Sequence, residues 1–184
     1  LALDEAVEAL QEALVIDPED AESHYELGAT FEMQGQYDNA RSEYEEAVAL
    51  SPDVARYRLS MGAIWRKIGL QARMLAEAGI SKSRDQEPDP ELEQYQEGVA
   101  ALQVAADLGE DSAKLHAELG TLYLLQGRVD EAIAELRNAV EALPQESFYH
   151  RVLGVAHQAM GDHEASIREL RVAESLDPNS AETQ

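Results

Sequence analysis

Apolar and small residues along this chain fall into pairs of short stripes with helical spacing. In residues 21–54 the first stripe is followed by Gly35 and the second by Ser51-Pro52. The stripes consist of His24, Leu27, Gly28 and Phe31, and then of Tyr37, Ala40, Tyr44, Ala47 and Val48. Spacings of three and four place each set on one face of a helix, and glycine and proline are typical helix ends. The pattern predicts two helices joined by a short turn.

The same pattern recurs every 34 residues. This step joins Gly28 to Gly62, Gly35 to Gly69, Gly120 to Gly154, Gly127 to Gly161, Pro18 to Pro52 and Pro144 to Pro178. Such a period is typical of arrays in which each unit buries its apolar face against its neighbours. We therefore predict an all-α fold, a right-handed α-solenoid of stacked antiparallel helix pairs. The expected helices lie near 3–16, 21–34, 37–50, 53–68 or beyond, 90–108, 112–126, 129–143, 147–160 and 163–176.

These positions resemble the tetratricopeptide repeat (TPR) family, whose pattern has an aromatic residue at place four, Leu-Gly at seven and eight, alanine at twenty and proline at thirty-two. Residues 21–54 match with His24, Leu27-Gly28, Phe31, Ala40, Tyr44, Ala47 and Pro52. Residues 113–146 match with His116, Leu119-Gly120, Tyr123, Ala132, Leu136, Ala139 and Pro144. Residues 147–180 match with His150, Leu153-Gly154, His157, Ser166, Leu170, Ala173 and Pro178. The departures are histidine for the usual tryptophan and Ser166 for the usual alanine.

One repeat contains additional residues. The step from Gly69 to Gly127 is 58, which is 34 plus 24, whereas Gly35 to Gly69 and Ala105 to Ala139 are both 34. We expect a single TPR-like array over residues 1–184 with a 24-residue insertion at about 70–93. Its parts are the second helix of a partial repeat (1–20), a repeat (21–54), the repeat with the insertion (55–112), two further repeats (113–146 and 147–180) and the start of a truncated unit (181–184).

The inserted residues are rich in helix formers. The segment LQARMLAEAG extends the first helix of this repeat as far as a stop at Gly79. Asp89-Pro90-Glu91 is a typical helix start, since aspartate caps a helix and proline fits its first turn. We predict a lengthened helical hairpin with a loop over 80–89, which projects from the stack as a second contact surface. A disordered loop without helical extension is the alternative.

The pattern is incomplete at both ends of the sequence. Residues 3–16 correspond to the second helix of a repeat whose first helix is missing, and 163–176 is followed by the first residues of a further unit. We expect the sequence to be an excised or processed piece. We also expect the apolar faces of these two helices to contact flanking chain or another molecule, which would allow a homo-oligomer.

Acidic residues dominate the charged positions, with 37 Asp and Glu against 14 Lys and Arg and a net charge of −23. Such a surface repels phosphates and anionic lipids, so nucleic acid is not an expected partner. No apolar run approaches the ~18 residues of a membrane-spanning helix. We expect a soluble protein without membrane insertion and favour the cytoplasm, although the compartment stays open. The scarcity of lysine fits either a halophilic source or an ordinary acidic surface.

No catalytic or cofactor-binding pattern is present in the sequence. The absence of cysteine excludes thiolate zinc sites and cysteine nucleophiles. His24, His116 and His150 occupy the same place in three different repeats, and His157 and His163 lack the HxxxH spacing of a helical metal site. We therefore expect neither an enzyme nor a cofactor or metal site.

The resemblance implies a concave groove lined by places two, five, nine and twelve of each repeat. In the first two repeats these are Glu22, Tyr25, Ala29 and Glu32, then Arg56, Leu59, Ala63 and Arg66, with Lys67 adjacent. In the last two they are Lys114, Ala117, Thr121 and Leu124, then Phe148, Arg151, Val155 and Gln158. Some family members clamp a terminal carboxylate with lysine and asparagine, but no asparagine occurs at these places.

The implied groove runs from acidic through basic to apolar positions. Residues 55–84 carry a net charge of +6, between segments of −14 and −15. A partner with acidic residues followed by an apolar anchor suits this gradient, because arginine binds carboxylates well and buried aromatic residues dominate interface energies. Alternatively, the basic stretch neutralises acids on adjacent repeats.

Three functions are compatible with these features. The first is a non-catalytic interaction scaffold that binds a peptide or helix of a partner protein in its concave groove. The second is a self-assembly module that forms a homo-oligomer. The third is a regulatory segment of a larger enzyme.

Overall fold

The computed structural model describes residues 2–77 and 90–178, and these residues are almost entirely helical. The helices are α1 (Ala2–Ile16), α2 (Ala21–Met33), α3 (Tyr37–Leu50), α4 (Ala55–Glu77), α5 (Pro90–Asp107), α6 (Ala113–Leu125), α7 (Val129–Ala142), α8 (Ser147–Met160) and α9 (His163–Leu176). No strand occurs within the described ranges. The predicted all-α class is confirmed, and the helix ends lie close to those expected from the sequence.

Glycine turns and polar caps explain most of these ends. Gly35, Gly127 and Gly161 have φ of 72°, 74° and 86°, a backbone conformation that glycine adopts without steric cost. Polar side chains cap the N-termini of α2 and α6. The carboxylate of Asp20 accepts a hydrogen bond from the Glu22 amide, and the Ser112 hydroxyl accepts one from the Leu115 amide. The predicted turn formers therefore end the helices as expected.

The helices α4 and α5 are the long pair, with 23 and 18 residues against 13 to 15 in the others. Gly69 does not end α4, although it occupies the place of the turn residue Gly35. It is buried against Tyr95 of α5, where a methyl group would overlap the ring. The predicted extension of both helices is observed, and α5 begins at Pro90. The predicted stop at Gly79 and loop over 80–89 lie outside the described residues.

The chain divides into two compact units, residues 1–110 and residues 111–184. The first unit contains α1–α5, with α2 antiparallel to α3 and α4 antiparallel to α5. Its core is a cluster from three helices in which Tyr44, Ala47 and Ile64 are almost fully buried. Partly buried aromatic residues pack around the cluster, including Tyr25, Phe31 and Trp65.

The second unit contains the two helix pairs α6/α7 and α8/α9. Its core cluster joins Ile133 and Leu136 of α7 to Leu153 and Ala156 of α8. Leu136 and Ala156 are completely buried. Each helix pair therefore buries its apolar stripe against the next pair within the unit, as the 34-residue period predicts. The repeat boundaries at 54, 112 and 146 remain predictions.

Small residues permit the close contact between paired helices. A methyl group added to Gly28 would lie 2.8 Å from the ring of Tyr44 and 3.2 Å from the carbonyl oxygen of Ala40. Gly120 repeats this arrangement, with Leu136 2.6 Å from the added methyl group. The recurring glycines thus mark the places where one helix packs directly on the next.

Candidate protein-binding surface

An ion pair connects α2 to α4 at one end of the face implied as a groove in the first unit. The Arg56 guanidinium donates to the Glu22 carboxylate, and the Tyr57 hydroxyl donates to the same carboxylate at 2.8 Å. The guanidinium also lies 5.3 Å from the ring centroid of Tyr25 and 5.2 Å from that of Tyr57, within cation–π range. Arg56 therefore binds a residue of the adjacent repeat.

A second ion pair connects the same two helices further along. The Lys67 ammonium donates to one carboxylate oxygen of Glu32 at 2.6 Å, and the Tyr44 hydroxyl donates to the other oxygen at 2.6 Å. Burial, reinforced by the neighbouring Glu32 carboxylate, raises the pKa of Tyr44 well above its usual range. Tyr44 therefore stays neutral and serves as a hydrogen-bond donor.

These contacts show what two of the basic side chains in the implied groove bind. Arg56 and Lys67 neutralise acids of the adjacent repeat, which was the alternative to recognition of an acidic partner. Glu22 and Arg56 are 34 residues apart and occupy equivalent places in successive repeats, whereas Glu32 and Lys67 are 35 apart and occupy adjacent places. At Arg56 and Lys67, the basic stretch therefore helps to hold successive repeats together.

The remaining groove positions of the first unit differ in accessibility. Leu59 and Ala63 are 8% and 4% exposed, so their side chains offer almost no surface to a partner. Tyr25, Ala29 and Arg66 are half-buried. The accessible part of this face therefore consists mainly of aromatic edges and already paired charges.

In the second unit the equivalent face is formed by α6 and α8. Phe148 and Val155 of α8 are 38% and 45% exposed, and the Arg151 guanidinium lies 5.6 Å from the ring centroid of Phe148. Spacings of three and four place these three residues on one side of α8, with the exposed Gln158 one turn further on. This is an apolar surface with an adjacent cation.

The helix α6 contributes a more polar edge to that surface. Lys114 is exposed, whereas Ala117 is buried and accepts a hydrogen bond from the Thr121 hydroxyl at its carbonyl oxygen, at 2.7 Å. Leu124 is half-buried against the core cluster of this unit. We define the α6/α8 patch as Lys114, Thr121, Leu124, Phe148, Arg151, Val155 and Gln158.

Comparison with known proteins identifies the repeat. Models described as "TPR repeat" and "Tetratricopeptide repeat" match residues 2–35, 21–54 and 91–155. The chain belongs to the tetratricopeptide repeat family. The resemblance inferred from Leu27-Gly28, Ala40 and their equivalents is thereby confirmed.

Individual relatives share this repeat at low identity. A DnaJ homolog subfamily C member 7 homolog of Schizosaccharomyces pombe is 27% identical over 182 residues. The match covers 97% of this chain and 36% of that protein, so the chain spans about a third of the relative's length.

Solved structures share the fold over nearly the whole chain. MamA of Desulfovibrio magneticus RS-1 superposes with a TM-score of 0.76 at 20% identity, covering 96% of this chain and 86% of the other. YrrB, described as a TPR protein with an unusual peptide-binding site, superposes with a TM-score of 0.68 at 20% identity, covering 96% of this chain and 79% of the other. At such identities the likeness establishes the fold, which is that of the predicted α-solenoid class.

The histidines at place four of the tetratricopeptide repeats form pairs with glutamate that the sequence analysis missed. His24, His116 and His150 each place Nδ1 2.6–2.7 Å from a carboxylate 19 residues further on, in the second helix of the same repeat. The carboxylates belong to Glu43, Glu135 and Glu169. The regular spacing of histidine and glutamate was the available signal. These pairs hold the two helices of a repeat together.

Two of these histidines, His24 and His116, have a raised pKa. Burial alone would lower the pKa of His24, but hydrogen bonds to the Glu43 carboxylate and the Pro18 carbonyl outweigh it, and the pKa is raised. The pKa of His116 is also raised, because hydrogen bonds to Glu135 and Asp111 outweigh burial. Protonation of both rings is thus favoured in the folded protein.

The chemistry that the described residues could support is limited. No group of three or more His, Asp or Glu side chains within 2–77 and 90–178 is arranged to hold a metal ion. His157 is buried, and its Nδ1 lies 4.0 Å from a carboxylate oxygen of Asp162, beyond hydrogen-bond distance. No helix in the described part of the chain has the length and apolarity needed to cross a bilayer.

Proposed function

We propose that this chain is a non-catalytic interaction scaffold that binds a peptide or helix of a partner protein along the first helices of its repeats. The observation that carries the proposal is the α6/α8 patch, where Phe148 and Val155 remain exposed on a face that the family resemblance implies for binding. Exposed aromatic side chains beside an arginine are typical of interface hot spots. The frame is already formed by helix packing, which limits the ordering cost of binding.

The chemistry of the patch favours an apolar anchor accompanied by a carboxylate. The anchor would pack on Phe148 and Val155, and the carboxylate would meet Arg151 or Lys114, neither of which forms an ion pair with a described residue. Arg56 and Lys67 support this role less well, because each would have to exchange its existing acid for that of a partner. We therefore place partner binding in the second unit.

The test is a comparison of captured proteins between matched variants. Phe148→Ser with Val155→Ser removes exposed apolar surface and should leave the fold intact. Met33→Ser with Met74→Ser removes exposed apolar side chains outside the patch, since both are at least 67% exposed. We expect a specific partner to be captured by the wild type and the methionine variant, and to bind the patch variant roughly tenfold or more weakly when titrated. Equal binding to all three proteins would contradict the proposal.

A self-assembly function is the second candidate, supported by α9. Ile167 and Leu170, which lie on one side of this helix, are 51% and 36% exposed, although Leu170 also packs on Gly154. If another copy covers this face, Ile167→Glu should lower the mass measured by light scattering at high concentration. An unchanged monomeric mass in wild type and variant would exclude this function. The full-length gene tests the third candidate, a regulatory role within a larger enzyme, because that role requires a catalytic domain in the same gene.

A further inference from the structure

Two adjoining clefts lie between α3 and α5 in the first unit, with α4 as their floor. Their volumes are about 490 and 460 Å³, and they share Trp65 and Glu97 as lining residues. Val48 of α3, Met61 of α4 and Val104 of α5 form the apolar part of the larger cleft. We call the two together the α3/α5 cleft.

This cleft lies on the opposite side of α4 from the implied groove face of the first unit. At 100° per residue, Met61 and Trp65 point away from Arg56, Ala63 and Lys67 around the axis of the helix. The cleft is therefore separate from the groove that the family resemblance implies.

Three buried polar atoms in the cleft lack a hydrogen-bond partner among the described residues. They are Nε of Arg41, Nε of Arg58 and Oε1 of Gln94. Each of these side chains lines one of the two clefts. Buried polar groups are normally hydrogen-bonded, and leaving one unpaired is costly. Two donors and one acceptor distributed along the two adjoining clefts match an extended peptide backbone, which offers carbonyl oxygens and amide hydrogens along its length.

The repeat pattern explains why Arg58 is unpaired. In the repeat before it and in the two after it, place four is a histidine that binds a glutamate 19 residues further on. In this repeat place four is Arg58, and the equivalent of Glu43, shifted by 58 residues, is Ala101. The carboxylate that would fix the side chain has been replaced by a methyl group. The same replacement removes a bulky side chain from the cleft wall.

The charges around the cleft select the type of peptide. Asp38, Glu93 and Glu97 are exposed at the rim and form no ion pair with another described residue. Arg41 is engaged instead, since it pairs with Glu45 at 3.5 Å and lies 5.0 Å from the ring centroid of Trp65. Arg58 adds one unpaired cation to these three unpaired carboxylates, so the unpaired charge around the cleft is negative on balance. This favours lysine or arginine in a ligand and disfavours nucleic acid.

We infer that the α3/α5 cleft binds a short peptide in which an apolar side chain is flanked by lysine or arginine. The apolar side chain packs between Val48, Met61 and Val104. The peptide backbone satisfies the buried donors of Arg41 and Arg58 and the acceptor of Gln94. The flanking cations pair with the rim carboxylates.

Trp65 allows a direct measurement, because it is the only tryptophan in the chain and it lines both clefts. The probe is a seven-residue peptide in which lysine or arginine alternates with leucine. In one control peptide glutamate replaces the basic residues, and in another serine replaces the leucines. We expect the basic leucine peptide to change the tryptophan emission saturably, and both control peptides to bind at least tenfold more weakly, since one lacks charge complementarity and the other lacks the apolar anchor.

Matched variants separate specific binding from general attraction to an acidic protein. Glu93→Gln with Glu97→Gln removes two charges at the rim, whereas Glu5→Gln with Glu8→Gln removes two exposed charges on α1. We expect the rim pair to weaken binding about fivefold and the α1 pair less than about twofold. A second matched comparison uses α5: Ala100→Arg obstructs the cleft, while Ala106→Arg places the same side chain on an exposed position outside it.

Several results would overturn the inference. If the rim and α1 pairs weaken binding equally, the peptide responds to net charge alone. If the serine peptide binds as well as the leucine peptide, the apolar part of the cleft is not used. The proposed site would also be contradicted if the basic leucine peptide does not bind, or if it binds to saturation without changing the emission of Trp65. Tighter binding of the acidic control peptide would contradict it as well.

Discussion

At the residue scale, recurring small and paired side chains determine how the helices meet. Gly62 is a clear case, because a methyl group there would overlap Leu102 Cγ and lie 3.0 Å from the carbonyl oxygen of Gly98. Leu102 is completely buried. The glycine therefore sets the distance between α4 and α5.

The contact between Gly62 and Leu102 predicts that Gly62→Ala destabilises the protein. In an unobstructed helix interior, replacing glycine by alanine stabilises by about 0.5–1 kcal/mol. At Gly62 we expect Gly62→Ala to lower the free energy of unfolding in urea by about 1–3 kcal/mol, because overpacking outweighs helix propensity. Combining it with Leu102→Ala should cost less than the sum of the single changes. Stabilisation by Gly62→Ala alone would contradict the packing described.

The histidine–glutamate pairs predict a dependence on pH. Because the pKa of His24 and His116 is raised in the folded protein, their stabilising contribution is fully present below the ordinary histidine pKa of about 6.5 and is lost as the pH rises through the folded value. NMR titration should show Glu43→Gln lowering the pKa of His24 but not that of His116. Glu26→Gln, at an exposed position of α2, is the control and should shift neither by a comparable amount.

At the element scale, the lengthened pair α4/α5 is the main departure from the regular repeat. Its packing continues beyond the normal repeat length, since Gly69 is buried against Tyr95 where another repeat has a turn. The phase of the pattern is nevertheless restored after the insertion. Gly62 still packs on Leu102, as Gly120 packs on Leu136.

Deletion of residues 70–93 tests whether a repeat of regular length is sufficient for the protein to fold. It joins Gly69 to Gln94-Tyr95, the same three residue types as Gly35-Gln36-Tyr37 at the turn after α2. We expect the variant to remain helical by circular dichroism and to unfold cooperatively, because the 34-residue register is restored. Deletion of 70–92, one residue fewer, leaves the turn one residue longer than the turn after α2 and should give a less stable variant. If both variants are unfolded, the insertion is part of the core.

At the scale of the whole molecule, unbalanced charge is the dominant feature. The net charge is −23, and ion pairs such as Glu32–Lys67 engage only part of the acidic surface. Like charges that are close together destabilise a compact chain, and salt screens them within about 10 Å at 0.1 M. Stability should therefore depend on ionic strength.

We expect the midpoint of thermal unfolding to rise as sodium chloride increases from about 20 mM to about 500 mM, because screening relieves repulsion between acids over this range. Replacing acids that form no ion pair should reduce the effect, and Glu8→Lys with Glu12→Lys on α1 is a suitable variant. A midpoint that falls with salt would mean that attractive pairs outweigh the repulsion. A strong continued rise at molar salt would favour the halophilic source over an ordinary acidic surface.

The sequence alone determined the repeat and therefore the fold class. The fixed order of Leu27-Gly28, Ala40 and Pro52 is local information, because helix periodicity and helix ends depend on residues close together in the chain. The same information predicted the extension of α4 and the start of α5 at Pro90. The residues of the α6/α8 patch were groove positions only as an implication of family resemblance, and their binding role stays a prediction.

Only the tertiary structure decided which of those side chains are accessible and which already have partners. Arg56 and Lys67 are paired across repeats, Leu59 and Ala63 are buried, and Arg58 faces a cleft without its expected carboxylate. These outcomes depend on distances between residues 34 to 43 positions apart, which a periodic pattern does not contain. The physical reason is that the period specifies which face of a helix is apolar, whereas burial and pairing are set by the neighbour that packs against it.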